Sequence, residues 1–258
     1  MNLMERVVCI IQARMGSSRL PGKVMKDICG KPMLAWVVER LKASARIDEV
    51  VVATTTDPAD DPIAAYCQSM RIHFHRGQVF DVLDRFYQTA TRFEADIVVR
   101  VTADCPLIDA QLVDAVIAEL QTNSLDFAAN RLPPPYKRTY PIGLDVEVAR
   151  MSALREAWQH AHEAHEREHV MPYLYAGPRT FKTAVLDAEE DYGSLRWTVD
   201  TLQDLEFIRQ LTALMACRTD FGWLDVLNLV NQHPELSRIN AEVAHKSLRD
   251  IDERNQQE

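Results

Sequence analysis

Short apolar runs rich in valine and isoleucine recur along the first half of the chain, at residues 7–13 (VVCIIQA), 49–55 (EVVVATT) and 96–101 (DIVVRV). Each is bounded by turn or polar residues, which predicts buried strands. Between them, residues 32–43, 60–70 and 82–93 carry apolar side chains at three-to-four spacing, the pattern of helices with one buried face. This alternation predicts an α/β fold, a Rossmann-like, mostly parallel sheet flanked by helices. Asp81 before VLDRFYQTA and Asp109 before AQLVDAVIAEL stand where carboxylates cap helix N-termini.

A further strand is expected at 125–129. Residues 131–141 (RLPPPYKRTYP) hold four prolines and predict a loop or extended crossover. Beyond it the pattern is less regular, with strand-like segments at 144–148, 181–185 and 195–199 and a helical segment at 222–232. His233-Pro234 breaks that helix. We therefore expect a single domain over residues 1–233 and a loosely attached polar C-terminal tail over 234–258. No internal repeat is evident.

The 258 residues include 29 basic and 38 acidic side chains, a net charge of −9. An acidic chain is a poor general nucleic-acid binder, because such proteins neutralise phosphates with a basic surface. No run approaches the ~18 apolar residues of a membrane span, so neither nucleic acid nor membrane is an expected partner, and a cytoplasmic location is expected. The five cysteines form no CxxC pair and are odd in number, which predicts reduced, mostly buried thiols.

Against the acidic background, residues 12–31 (QARMGSSRLPGKVMKDICGK) carry Arg14, Arg19, Lys23, Lys26 and Lys31 against Asp27 alone. Gly16, Ser17, Ser18 and Gly22 allow a tight turn that presents amide and hydroxyl donors, and Arg14, Arg19 and Lys23 can surround a triphosphate. A basic flexible turn is more often a solvated loop. Its place after the first strand of a parallel sheet, at the carboxyl edge where such sheets bind ligands, favours phosphate binding. The segment has neither GxGxxG nor GxxxxGK[ST], so the dinucleotide and Walker motifs are excluded.

The stretch from Ala13 to Lys23, A-R-x-G-S-x-R-L-P-G-K, resembles the signature of the CMP-sugar synthetases, including CMP-KDO and CMP-acylneuraminate synthetases. The resemblance is closest to the SpsF branch of spore coat polysaccharide biosynthesis proteins. It extends in order through VVVATTTDPADDP (50–62), RGQVFDVLDRFY (76–87), VTADCPLID (101–109), IGLDVEV (142–148), REHVMPY (167–173) and LRWTVDTLQD (195–204). It implies a nucleotide-diphospho-sugar transferase (GT-A-like) fold and transfer of a cytidylyl group from CTP to a small-molecule acceptor, a sugar acid or related compound. It also implies nucleotide binding by Ala13, Arg14, Gly16, Ser17, Ser18, Arg19, Lys23 and Asp104, with Arg14, Lys23, Asp104 and Asp200 catalytic. No residue is assigned as the base, and a homodimer stays open.

A metal is suggested by the residues themselves. Asp104 and Asp200 each end an apolar run, so parallel strands would carry both to the edge of the basic loop. Mg²⁺ favours one or two carboxylates with phosphate oxygens and water. A helix cap is the competing reading, with even weight for Asp200. The resemblance places metal-binding aspartates at both positions. In GLDVEV, alternation puts Asp145 and Glu147 on one face, solvated or facing a ligand. The resemblance places this segment and REHVMPY near the acceptor, implying acceptor contacts for Asp145, Glu147 and His169.

His165-Glu166-Arg167-Glu168-His169 is a literal HExxH, yet its free positions are charged, Pro172 follows closely and no third ligand is evident, so a zinc protease is set aside. Asp84 and Arg85 are read as a surface pair or as neighbours of the nucleotide, and the four tryptophans as core. A sugar-1-phosphate nucleotidyltransferase using another nucleotide, or a non-catalytic nucleotide-binding homologue, are the alternatives.

Overall fold

The computed structural model describes residues 5–132 and 138–244. The prolines at 133–135 and the tail beyond 244 lie outside the described residues. In chain order the elements are β1 (Val7–Gln12), β2 (Asp27–Ile28), β3 (Lys31–Pro32), α1 (Met33–Leu41), β4 (Glu49–Thr55), α2 (Asp61–Ser69), β5 (His73–Gly77), α3 (Val82–Arg92), β6 (Ile97–Thr102) and α4 (Ala110–Thr122). There follow β7 (Phe127–Ala129), β8 (Glu147–Arg150), α5 (Met151–His160), α6 (Ala164–His169), α7 (Pro172–Ala176), β9 (Thr183–Val185), α8 (Leu202–Leu214), α9 (Trp223–Gln232) and α10 (Pro234–Arg238).

Among the described residues, seven strands form one sheet in the order β5-β4-β1-β6-β8-β7-β9, in which β8 alone runs antiparallel to its neighbours. The strand alternation of β1 divides the core. Cys9 and Ile11 pack with Leu34 and Val37 of α1 and Val113 and Ile117 of α4, whereas Val8 and Ile10 pack with Leu83 and Phe86 of α3 and Leu154 of α5. A third apolar cluster joins Trp36 and Trp197 to Leu205, Ile208 and Leu211 of α8 and Val226 of α9. Both sheet faces are covered, as expected for parallel strands that are apolar throughout.

Several local expectations shift. β5 was not expected, because HFHRG lacks an apolar run; it is an edge strand. The strand expected at 144–148 begins only at Glu147. Residues 195–199 form no strand: Arg196 makes an isolated parallel bridge to Ile142. The expectation of five reduced thiols is also corrected. Cys29, beside the β2–β3 turn, and Cys217, after α8, form a disulfide, while Cys9, Cys67 and Cys105 are free and buried. A sequence separation of 188 leaves no local sign of that pairing. Past His233 the chain forms α10, and Leu236 and Asn240 are buried. Among the described residues, no helix is long and apolar enough to cross a membrane.

Candidate active site

The basic loop leaves β1 at the carboxyl edge of the sheet. Ala13 is buried and continues the ladder by donating its amide to the Ala53 carbonyl at 3.1 Å. The Met15 amide donates to Asp60, a buried carboxylate that also accepts from Thr55 Oγ1. Gly22 closes the turn in the left-handed region at φ 67° and donates to the Met15 carbonyl, a conformation that glycine adopts without penalty. Within the turn, Ser17 Oγ accepts from the Leu20 amide at 3.4 Å. Arg14, Gly16 and Ser17 are half-buried and Ser18 is exposed.

Immediately after Gly22, a short 3-10 turn points Lys23 into a cluster of aspartates. Its Nζ lies 2.6 Å from Asp104 Oδ2, 2.8 Å from Asp200 Oδ1 and 2.9 Å from the Val199 carbonyl. Asp104 follows β6, where Thr102 donates to its Oδ1 at 2.5 Å. Asp200 reaches the same place without a strand. The Val199 amide and the Thr198 hydroxyl both donate to the Asp104 carbonyl, at 2.9 and 3.1 Å, so the two acidic segments are tied backbone to backbone.

The approach also needs Gly143, at φ 105°. A Cβ there would lie 2.5 Å from the Thr198 nitrogen and 2.6 Å from the Trp197 carbonyl carbon. Only a residue without a side chain lets the 141–143 turn lie against residues 197–198.

Asp200 meets two more cations, Arg19 and Arg196, each 2.8 Å from its Oδ2. Burial works to raise the Asp200 carboxyl, but Lys23, Arg19 and Arg196 outweigh it and hold it well below the ordinary carboxylate range. For Lys23 burial works the other way, and the Asp104 and Asp200 charges outweigh it, raising its pKa. Asp204 is fully buried. It caps α8 and accepts from the Asp200 and Thr201 amides, from Arg196 and from Asn240, and these bonds hold its pKa low against burial. Arg196, Asp204 and Asn240 were not among the residues singled out from the sequence. Their only sign there was their place in and after the LRWTVDTLQD stretch.

On the other side of β6, the acceptor candidates are carboxylates matched to arginines. Glu147 is buried and pairs with Arg100, whose other Nη donates to Gln12 Oε1 at 3.1 Å. Asp145 pairs with Arg138. Arg100 and Thr102 stand two residues apart on β6, so Glu147 lies about one pleat, ~7 Å along the strand, below the Thr102–Asp104 bond. Arg100 was missed, although a lone charge within the apolar run DIVVRV is a usable sign.

His169 ends α6. Its neighbour Arg167 forks onto Asp81, the N-cap of α3, and donates to the Trp158 carbonyl. The HExxH motif is accounted for locally: Glu166 is buried in the capping box of α6 with Glu163. No group of three or more metal-binding side chains occurs among the described residues. Arg85 is not a surface residue. It is fully buried, donates to the Gln78 and Val79 carbonyls and is lowered to about 10 by burial and by the Arg14 charge. Asp84 instead accepts from Trp158 Nε1 at 2.9 Å. Cys105, beside Asp104, is buried and its thiol is pushed well up by burial, which leaves it inert.

A family model described as cytidylyltransferase matches residues 8–241. The chain is 30% identical over 247 residues to spore coat polysaccharide biosynthesis protein SpsF of Bacillus subtilis (strain 168), covering 90% of this chain and 97% of that protein. It is also 30% identical over 240 residues to 3-deoxy-manno-octulosonate cytidylyltransferase of Rhizobium etli (strain CIAT 652), covering 88% and 90% of the two chains. The solved structure of a cytidylyltransferase from Leptospira borgpetersenii serovar Hardjo-bovis matches with a TM-score of 0.85 at 30% identity, over 93% of this chain and 100% of that one.

Proposed function

The chain belongs to the cytidylyltransferase family and is a nucleotidyltransferase, and we propose that it transfers CMP from CTP to a sugar acid or related acceptor. An acceptor oxygen attacks the α-phosphorus, the bond to the β-phosphate breaks, and pyrophosphate leaves. The reaction would serve surface polysaccharide or glycoconjugate synthesis. Support for that setting comes from relatives named for spore coat polysaccharide biosynthesis and for an octulosonate acceptor.

One observation carries the proposal: a tight turn at the carboxyl edge of the sheet delivers Lys23 and Arg19 to Asp104 and Asp200. In this reading the turn at Gly16, the hydroxyls of Ser17 and Ser18, and Arg14, Arg19 and Lys23 hold the triphosphate, and Ala13, whose amide is spent on the Ala53 carbonyl, lies along the rest of the nucleotide. The cations offset charge on the transferring phosphoryl group. Asp145, Glu147 and His169 face the acceptor, whose hydroxyls suit carboxylate acceptors and whose acid suits the paired arginines.

Asp104 and Asp200 also fit Mg²⁺. Their oxygens already surround one cation, the Lys23 ammonium, and two carboxylates beside a triphosphate are the donor set that magnesium favours. When bound there, the ion would supply Lewis-acid neutralisation of phosphate charge.

The test is pyrophosphate release with each of the four nucleoside triphosphates against ulosonic acids, sugar phosphates and other polyols. We expect CTP with an acidic sugar to be turned over best. Equal or better turnover of ATP, GTP or UTP would replace the cytidylyl reading with a less selective nucleotidyl transfer.

A further inference from the structure

The two aspartates that suit a divalent cation are already bridged by an internal one. Lys23 has three N–H donors and uses them on three oxygens, Asp104 Oδ2, Asp200 Oδ1 and the Val199 carbonyl, at 2.6 to 2.9 Å. Only 9% of the residue is exposed. Around it the charges balance before any ligand arrives: Lys23, Arg19 and Arg196 face Asp104, Asp200 and Asp204.

A divalent ion between Asp104 and Asp200 would have to occupy the oxygens that the ammonium holds. It would also stand one side chain away from two guanidinium groups on the Asp200 side. Like charges at that separation repel strongly in a half-buried site. Metal and ammonium therefore compete for one position.

A triphosphate changes the balance. Its anionic oxygens offer Lys23 and Arg19 new partners at the mouth of the same turn. Arg19 is only partly committed there, since among the described residues it shares its guanidinium between Asp200 and a neutral acceptor, the Ala244 carbonyl at 3.1 Å. The Lys23 stem is flexible and follows Gly22, so the ammonium can swing without moving β1.

Resting on the nucleotide reading above, we propose that Lys23 is an internal counter-ion that keeps a divalent cation out of the Asp104–Asp200 pair until a nucleoside triphosphate draws its ammonium onto phosphate. Metal then enters with the nucleotide and not before it. In the free protein the ammonium also keeps the two carboxylates from repelling each other, so the site is held together while it waits.

The probe is Mn²⁺, followed by its electron paramagnetic resonance signal on the full chain, with and without the non-reacting analogue α,β-methylene-CTP. The wild type should bind Mn²⁺ weakly alone and tightly with the analogue. Lys23→Met, which keeps the stem and removes the charge, should bind Mn²⁺ without nucleotide roughly tenfold or more tightly than the wild type does. Lys23→Gln serves as a second variant, with circular dichroism reporting folding of both. Adding Asp104→Asn to Lys23→Met should remove the gain.

Tight, saturable Mn²⁺ binding by the nucleotide-free wild type overturns the proposal, whatever the variants do. Folded Lys23 variants that gain no nucleotide-free binding overturn it as well. If the wild type binds no Mn²⁺ even with the analogue, the metal assignment itself fails, and this inference with it.

Discussion

Arg19 divides its guanidinium between the Asp200 carboxylate and the Ala244 carbonyl, whereas Glu147 pairs with Arg100 on the far side of β6. In the proposed function Arg19 serves the nucleotide and Glu147 the acceptor, so their loss should read out differently. Arg19→Ala would remove the proposed charge-assisted phosphate contact, worth ~1.5–3 kcal/mol, and should raise the Kd for CTP about tenfold or more in titrations without acceptor. Glu147→Gln should leave that Kd within about twofold while raising the acceptor KM or lowering kcat, because a misplaced nucleophile loses the benefit of proximity. If Glu147→Gln abolishes CTP binding in a folded protein, or Arg19→Ala affects only the acceptor, the division is wrong. At this scale the residues that form a contiguous motif were legible, Arg14 to Lys23 above all. Their partners were not. Arg100 meets Glu147 across 47 positions, and Asn240 meets Asp204 across 36, through contacts that exist only once the strands and helices are assembled.

Among the elements, the segment 195–199 shows why an aspartate can reach a site without a strand to carry it. Its backbone is held by Ile142 on one side, with Trp197 donating to the Ile142 carbonyl at 2.7 Å, and by Asp104 on the other, through the Val199 amide. Gly143 is what allows the first of these contacts. A methyl group there would collide with the 197–198 backbone, in a φ region that side chains also disfavour. Gly143→Ala should thus push the segment away from the turn, displace Asp200, and lower both the melting temperature and CTP affinity. Wild-type values for both quantities would show that Asp200 is placed by something else. Apolar alternation exposed β1, β4 and β6 because parallel strands buried on both faces are apolar throughout. It missed β5, where His73 is exposed and the strand pairs on one side only. For 195–199 the apolar residues reflect packing of Trp197 and Val199 against α8 and α9 and not sheet pairing.

For the whole molecule, the α/β alternation in the first half implied the architecture, while the second half is closed by features that the sequence distributes over long distances. The Cys29–Cys217 disulfide joins the hairpin after the basic loop to the end of α8, and α8 begins just beyond Asp200. The two segments that bring Lys23 and Asp200 together are thus also linked covalently. Asn240, donating to the Arg196 carbonyl and to Asp204, adds a third tie from the end of the described chain. The candidate site is therefore shared by the sheet edge, α8 and the C-terminal segment, and the proposed reaction moves a cytidylyl group across it. The most direct test supplies CTP labelled in the α-phosphate, with Mg²⁺ and the acidic sugar that releases most pyrophosphate, and follows the label. We predict that it passes to the acceptor as a CMP ester in step with pyrophosphate, and that a folded Asp104→Asn protein loses most of this transfer. Label recovered only as free CMP would mean that the protein hydrolyses CTP without transferring CMP, and full transfer by Asp104→Asn would mean that Asp104 takes no part in the reaction.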